Sequence, residues 1–234
     1  MAARATRIDA LSTSFLFRDH AAALDRYLAL LDEDQAQRSE RFEHPDPARR
    51  RLRVACNHCE TPFCCHQRVD VELVEALVLF RHAAEHARPQ LEEAIRRGHL
   101  LHSARPTTER GPPIAEDEAF FRRRVACPFL VKGRCSIYRV RPWSCRTHYM
   151  ASNPLKCRDE LQPSETYSMD PDPALLGELQ KLAEDVRFFA QVESMGPSEL
   201  SQVLHLIDGL LAVPPWREPQ RLDFATIGEE PPTG

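Results

Sequence analysis

The chain lacks several features that mark common classes of protein. It has no apolar run long enough to span a bilayer, and Arg4, Arg7 and Asp9 interrupt the start, where a secretory signal would need an apolar stretch. The formal net charge of -4 provides no overall basic field for nucleic acid or an anionic membrane. No internal repeat is visible. We therefore expect a cytoplasmic protein that binds neither nucleic acid nor membranes.

Lysine and glycine are also scarce. Lys132, Lys156 and Lys181 are the only lysines, so arginine carries nearly all of the positive charge. Two arginine-rich runs, residues 49–53 and 122–124, each precede a group of cysteines. They are either solvated charge or planar donor groups for a carboxylate or phosphate, and the sequence leaves both interpretations open. The 8 glycines are outnumbered by 19 prolines, which predicts many fixed turns.

Cysteine, in contrast, is abundant, and its eight residues fall into two blocks. They are Cys56, Cys59, Cys64 and Cys65 in the first block and Cys127, Cys135, Cys145 and Cys157 in the second. Because the cytoplasm keeps thiols reduced, cysteines at this density indicate metal ligands rather than disulfides. We expect the fold to bring the two blocks together around metal.

The chemistry of sulfur narrows the choice of metal. Thiolates are soft ligands that select zinc, iron-sulfur clusters or cuprous ion. Eight thiols could form two four-coordinate sites, or one cluster with structural thiols left over. The spacing of Cys56 and Cys59 allows one loop to place both sulfurs on the same metal. Side chains of adjacent residues diverge, so Cys64 and Cys65 either serve two metals or divide into one ligand and one packed thiol.

Other interpretations of the cysteines are weaker. A redox-active dithiol formed by Cys56 and Cys59 would require a strand followed by a helix in an α/β fold, and the chain has a mainly helical pattern. Structural disulfides conflict with a reducing compartment. Buried thiols without a special role are the remaining alternative.

Three histidines near the cysteines, His58, His66 and His148, could replace a thiolate as ligand. His82, His86, His99 and His102 lie instead on predicted helices, where solvated or capping roles are expected. Three aromatic side chains are expected to cover the site, and these are Tyr138, Trp143 and Tyr149.

The apolar periodicity predicts a mainly α fold: a single irregular helical domain with a small β-hairpin and a cysteine-rich metal-binding centre. Helices are predicted over His20–Phe42, from an Asp70 N-cap to Ala87, and over Pro89–His102, Pro173–Ser194 and Ser198–Ala212. Residues 12–17 are predicted to be extended. The predicted organisation is a lead-in and helix over residues 1–47, the cysteine core over 48–160, a helical pair over 161–212 and a proline-rich tail over 213–234.

The second cysteine block has its own local pattern. Segments 125–131 and 135–138 flank residues 132–134, which predicts a hairpin whose turn uses Gly133. Cysteines on either side of such a turn can aim two thiolates at one ion. A short helix is predicted to begin near Arg141 and to carry Cys145 close to its N-terminal end, where partial positive charge favours thiolate.

The cysteine motifs between Val54 and Cys157 resemble the YkgJ-type cysteine-cluster family of zinc- or iron-chelating domains. The resemblance is carried by the first block, by Cys127-Pro-Phe-Leu and Cys135-Ser-Ile-Tyr, and by the Arg141-Pro and Cys145-Arg pairs. It implies that all eight cysteines are metal ligands, that Arg141 and Arg146 bind a cofactor, and that the metal group is an iron-sulfur cluster or zinc. The same family includes flagellin lysine N-methylases, and on that ground alone S-adenosylmethionine is a candidate cofactor.

We expect an iron-sulfur protein that modifies a protein, a peptide or a small molecule. The alternatives are a zinc-stabilised interaction module without enzymatic activity and a metal carrier. The sequence has no glycine-rich loop for binding a nucleotide, so it does not indicate a conventional methyltransferase fold.

Overall fold

The computed structural model describes residues 7–42, 63–104, 122–150, 166–168, 173–189 and 198–211. Over these residues the chain is mainly helical with small antiparallel strand pairs, which confirms the predicted mainly α fold with a β-hairpin. The cysteine-rich metal-binding centre of that fold stays a prediction. The α-helices in chain order are α1 (Phe15–Arg18), α2 (Ala21–Phe42), α3 (Leu73–His86), α4 (Arg88–Ala104), α5 (Trp143–Thr147), α6 (Pro173–Phe189) and α7 (Leu200–Leu210). The described residues also include three 3-10 helices, at Ile8–Thr13, Phe63–His66 and Tyr138–Val140.

The strands form three separate antiparallel pairs. In chain order they are β1 (Asp70–Val71), β2 (Leu130–Val131), β3 (Arg134–Cys135), β4 (His148–Met150), β5 (Thr166–Ser168) and β6 (Ser198–Glu199). β1 pairs with β6, β2 with β3, and β4 with β5. The pairing of β1 with β6 places the start of α7 beside the start of α3, because each strand leads into its helix.

The α3 helix is the centre of the hydrophobic core. Its residues from Leu73 to Phe80 are all buried, and it packs against α2, α4, α6 and α7. A helix that is apolar on nearly every side must be covered on every side, and the surrounding helices provide that cover. The α4 and α7 helices also pack tightly against each other, with Gly98 at their contact.

Most predicted helix bounds are confirmed within one or two residues. The α2 and α4 helices match the predictions from His20 and Pro89, and α6 begins at Pro173 as predicted. The predicted helix at Ser198 begins instead at Leu200, because residues 198–199 pair with β1. The sequence of residues 105–113 is polar and rich in proline and predicts a connection, but these residues lie outside the described part of the chain. The predicted helix end at 190–194 and the predicted tail at 213–234 also lie outside it.

Two local predictions are wrong. Residues 12–17 are not extended: they end a 3-10 helix and form most of α1, since Leu16 and Phe17 are buried in the core. Asp70 does not cap α3, because it belongs to β1 and the N-cap is Glu72. The Glu72 backbone N–H donates to the Glu75 carboxylate at 2.8 Å, which satisfies a group at the helix start.

No helix in the described part of the chain is both long enough and apolar enough to cross a bilayer.

Candidate metal centre

A backbone hydrogen bond joins the two cysteine blocks directly. The Cys127 N–H donates to the Cys65 carbonyl at 2.6 Å. Pro62 and the closely packed thiols of the first block favour an irregular ligand loop. Cys65 lies instead in the 3-10 helix Phe63–His66, so that expectation is wrong for these four residues. The expected approach of the two blocks is therefore observed at the backbone for Cys65 and Cys127.

The β-hairpin positions two cysteines of the second block. Lys132 and Gly133 both have positive φ, 49° and 77°, as a tight two-residue turn between β2 and β3 requires. Cys135 lies opposite Leu130 in the hairpin, and the Cys127 carbonyl accepts from the Leu130 N–H at 3.0 Å. This confirms the predicted hairpin and places Cys127 and Cys135 at its base.

Helix α5 carries Cys145 as its third residue, close to the predicted position. The expected lowering of the pKa of Cys145 by the helix start is not found. Burial raises the pKa of Cys145, and repulsion from Cys127 and Cys64 adds to the rise, with only a smaller opposite effect from Arg141. One turn of helix is too weak an electrostatic source to overcome this desolvation.

The Cys64 and Cys65 thiols share a hydrogen bond that moves their pKa values in opposite directions. This bond lowers the pKa of Cys64 to about 7, and the charge of Arg141 acts in the same direction. The same bond raises the pKa of Cys65, and burial and repulsion from Cys64 raise it further. Burial also raises the pKa of Cys127 to about 12 and that of Cys135. A metal ion that binds these thiols must therefore displace protons.

These electrostatic effects link cysteines of the first block with cysteines of the second. Cys127 and Cys135 of the second block help to raise the pKa of Cys65, and Cys64 helps to raise the pKa of Cys145. Cys64 is exposed and the other four are half-buried, and all five are free thiols. Cys64 is therefore the most accessible of the five described thiols.

The two candidate cofactor-binding arginines differ in what their side chains do. The Arg146 side chain is buried and its guanidinium donates to the carbonyls of Arg141 at 2.9 Å and Leu31 at 3.2 Å, and also to that of Arg139. The Arg141 guanidinium lies over the Tyr138 ring, 4.1 Å from its centroid, and its buried Nε has no hydrogen-bond partner in the structure. Arg141 thus retains a donor beside the thiols.

The other predicted site residues lie around these cysteines. The Tyr138 side chain is 49% exposed, whereas Trp143 packs against the core and under the Arg38 guanidinium, 5.4 Å from the ring centroid. Nδ1 of His66 is buried without a hydrogen-bond partner. Residues 122–124 are exposed. The side chains of His148 and Tyr149 lie outside the described residues.

Three predicted ligands, Cys56, Cys59 and Cys157, also lie outside the described residues, as do His58 and the arginine-rich run at 49–53. Within the described ranges, no three His, Cys, Asp or Glu side chains are arranged to hold a metal ion. The ligand set therefore stays a prediction.

Two residues near the site were missed by the sequence analysis. Glu75 lies in α3 and accepts a hydrogen bond from the Trp143 N–H at 2.6 Å, and Arg97 donates to the Ala126 carbonyl at 2.5 Å, next to Cys127. Glu75 does leave a signal, because it is the one charged residue in the apolar run from Leu73 to Phe80. Arg97 gives no such signal, because nothing in the sequence distinguishes it from the exposed arginine beside it.

Searches of known protein families, curated proteins and solved structures find no match to this chain.

Proposed function

We propose that this chain is a cysteine-cluster metalloprotein whose two cysteine blocks share one metal centre. The observation that carries the proposal is the 2.6 Å hydrogen bond from the Cys127 N–H to the Cys65 carbonyl, which holds the blocks side by side. The effect of each block on thiol pKa values in the other supports it, because a cation bound between them would favour the thiolate forms.

The donor atoms fit an iron-sulfur cluster, with zinc as the alternative metal. Both are held by groups of thiolates. An iron-sulfur cluster with an open iron position would supply electron transfer or a binding position for a substrate or cofactor. The exposure of Cys64 favours this assignment, because that thiol is accessible from solvent. Cys56, Cys59 and Cys157 complete the proposed ligand set.

The proposed activity is modification of a protein, a peptide or a small molecule at this centre, in the cytoplasm, where thiols stay reduced. Arg141 would bind an anionic part of the cofactor or substrate, since its guanidinium carries an unused donor next to the thiols. S-adenosylmethionine, which has a carboxylate, is the cofactor suggested by the family resemblance. Arg146 would support the site by fixing the backbone, because its donors are engaged there.

A zinc-stabilised interaction module is the second candidate. Cys127 and Cys135 pack against the hydrophobic core, as expected for a site whose role is to hold the fold together. In that case the metal would have four protein ligands and no open position.

Metal analysis combined with a visible absorption spectrum after anaerobic purification tests the proposal. An iron-sulfur centre predicts brown protein with iron and sulfide in near-equal amounts. Colourless protein with stoichiometric zinc would support the second candidate, and reversible transfer of that zinc to an acceptor would indicate a carrier. Protein that binds neither metal would contradict both forms of the proposal.

The Cys145→Ser variant tests whether the second block contributes a ligand. We expect it to lose most of its bound metal, because a hydroxyl is a poor ligand for soft metals. Ser144→Ala is the matched control: it is exposed in the same helix and should keep its metal. Equal metal content in the two variants would remove Cys145 from the ligand set.

A further inference from the structure

Glu75 is a buried carboxylate that connects the core helix to the helix carrying Cys145. One carboxylate oxygen accepts from the Trp143 N–H at 2.6 Å, and the other accepts from the Glu72 N–H at 2.8 Å. Tyr27 of α2 is a third hydrogen-bond partner. The carboxylate therefore joins three helices at one point.

The bond to Trp143 determines where α5 begins. Trp143 is its first residue, and the first N–H groups of a helix have no acceptor within that helix. Glu75 supplies the acceptor from the rigid, fully packed side of α3. Cys145 follows two residues later, so the position of its sulfur depends on where this helix start is held.

A second residue, Arg146, also anchors α5. The buried Arg146 guanidinium donates to the Leu31 carbonyl of α2 at 3.2 Å and to carbonyls of the preceding segment. A five-residue helix has too few internal hydrogen bonds to hold its own place. Glu75 and Arg146 together fix it on the core.

We propose that Glu75 is a positioning residue for the metal centre, which holds the Cys145 sulfur at bonding distance by accepting the Trp143 N–H. The inference rests on the proposed metal centre. Metal-ligand distances tolerate deviations of only about 0.2 Å, and loss of groups that orient ligands costs roughly 10- to 100-fold in metal affinity.

The test is anaerobic titration of the reduced, metal-free chain with Co²⁺, a spectroscopic substitute for zinc or iron whose sulfur-to-cobalt charge-transfer absorbance reports the number of bound thiolates. The Glu75→Gln variant keeps the side-chain size but has one acceptor oxygen for two backbone N–H groups, so its NH2 group must face the N–H of either Trp143 or Glu72 and disturb this junction. We expect about 10- to 100-fold weaker Co²⁺ affinity and a charge-transfer band reduced to that of Cys145→Ser.

Two controls separate positioning from general destabilisation. Asp208→Asn changes another buried carboxylate that accepts a backbone N–H, from Arg7 at 2.6 Å, and should leave the cobalt spectrum unchanged. In the Cys145→Ser background, Glu75→Gln should cause no further loss of affinity, because a residue that acts through Cys145 has nothing left to position. Glu75→Asp is the second variant, for use if Glu75→Gln does not fold. It keeps the negative charge, but its shorter side chain places the carboxylate farther from the Trp143 N–H, so we expect a Co²⁺ affinity between those of the unaltered chain and Cys145→Ser.

Unchanged Co²⁺ affinity and spectrum in Glu75→Gln, or in Glu75→Asp if only that variant folds, would overturn the inference. An equal loss in Asp208→Asn, or an additional loss in the Cys145→Ser background, would also overturn it. Failure of the proposed function gives a different result, because the unaltered chain would then show no thiolate charge transfer with Co²⁺.

Discussion

Arg141 and Arg146 lie on the same short segment but use their guanidinium groups in opposite ways. Arg146 is almost fully buried, and its donors satisfy backbone carbonyls, which is the main way a buried charge is tolerated. Burial lowers the pKa of Arg146, and the nearby charge of Arg141 lowers it further. Arg141 rests on an exposed tyrosine ring and keeps a donor unused. Of the two, Arg141 is the better candidate for contact with an anionic ligand.

We predict that Arg141→Gln weakens binding of S-adenosylmethionine to the metal-loaded protein without changing the metal content. A hydrogen bond to a charged group contributes about 1.5 to 3 kcal/mol, so the dissociation constant should rise at least about 10-fold. Isothermal titration calorimetry measures this affinity.

Arg139→Gln is the matched control for this substitution. Arg139 lies two residues away, and its guanidinium forms an exposed ion pair with Asp32 at 2.7 Å. Exposed pairs contribute little, so both binding and stability should stay close to those of the unaltered chain. The same affinity in both variants would contradict a cofactor-binding role for Arg141, and no binding to the unaltered chain would contradict S-adenosylmethionine as the cofactor.

At the residue scale, the sequence predicts the type of chemistry better than the role of each side chain. The cysteine spacing indicates metal because thiol chemistry is a property of the residue itself. The roles of Arg146 and Glu75 depend on carbonyl and N–H groups of distant segments, such as Leu31 and Trp143. Nothing in the local pattern around either residue specifies those partners.

At the level of helices, α4 and α7 approach each other closely at Gly98. A Cβ atom added there would collide with the Ser201 carbonyl oxygen and would lie 2.7 Å from the His205 Cβ. The obstruction includes the backbone of α7, so a side-chain rotation cannot relieve it. Glycine is required at this position by the contact between the helices.

We predict that Gly98→Ala destabilises the fold, by about 1 to 3 kcal/mol or more, because the two helices must separate. Alanine is the better helix former, but that gain of about 1 kcal/mol is smaller than the cost of the collision. Urea unfolding followed by far-UV circular dichroism measures the difference.

Gly177→Ala is the control within the same chain. Gly177 lies in α6, is exposed, and a Cβ there would meet no atom within 4 Å. This variant should be more stable than the unaltered chain by roughly 0.5 to 1 kcal/mol. A destabilised Gly177→Ala, or a Gly98→Ala of unchanged stability, would contradict this account of the packing.

Elements with a clear apolar period were predicted well. In α2, Leu24, Tyr27 and Leu31 are buried at the intervals that a helix gives to one face. Elements whose bounds depend on long-range contacts were predicted less well. Residues 198–199 form a strand because β1 lies beside them, and Glu72 rather than Asp70 caps α3 for the same reason.

At the scale of the whole molecule, polar side chains lie inside the core next to the cysteine-bearing segments. Asp34 and Arg38 form a buried ion pair at 2.6 Å, and Tyr27 and Glu75 are buried hydrogen-bond partners. Burial raises the pKa of Tyr27 well above its ordinary value, and the Glu75 charge raises it further. Ionisation of this hydroxyl is therefore strongly disfavoured in the folded state.

The pKa of Tyr27 predicts a loss of stability in alkaline solution. Its contribution is fully present below the unfolded-state pKa of about 10, and it is lost as the pH rises toward the higher folded-state pKa. The unaltered chain should therefore lose more stability than Tyr27→Phe above a pH of about 10. Urea unfolding of both proteins across this range measures the gap, and a gap that stays constant would contradict the prediction.

The approach of the two cysteine blocks could be predicted because both contain residues of the same uncommon chemistry. Their arrangement could not be predicted. The hydrogen bond between Cys65 and Cys127, and that between the Cys64 and Cys65 thiols, depend on backbone positions that only the packed helices determine.

The hydrogen bond between the two blocks also sets an order of events during synthesis. Cys127 is added 62 residues after Cys65 (127 − 65), which takes roughly 3 to 12 seconds at ribosomal speeds. During that interval the thiols of the first block leave the ribosome without their partners. Metal captured then would be held by first-block ligands alone. The shared centre that we propose can be completed only after Cys157 has emerged, so its assembly must wait until the second block has been synthesised.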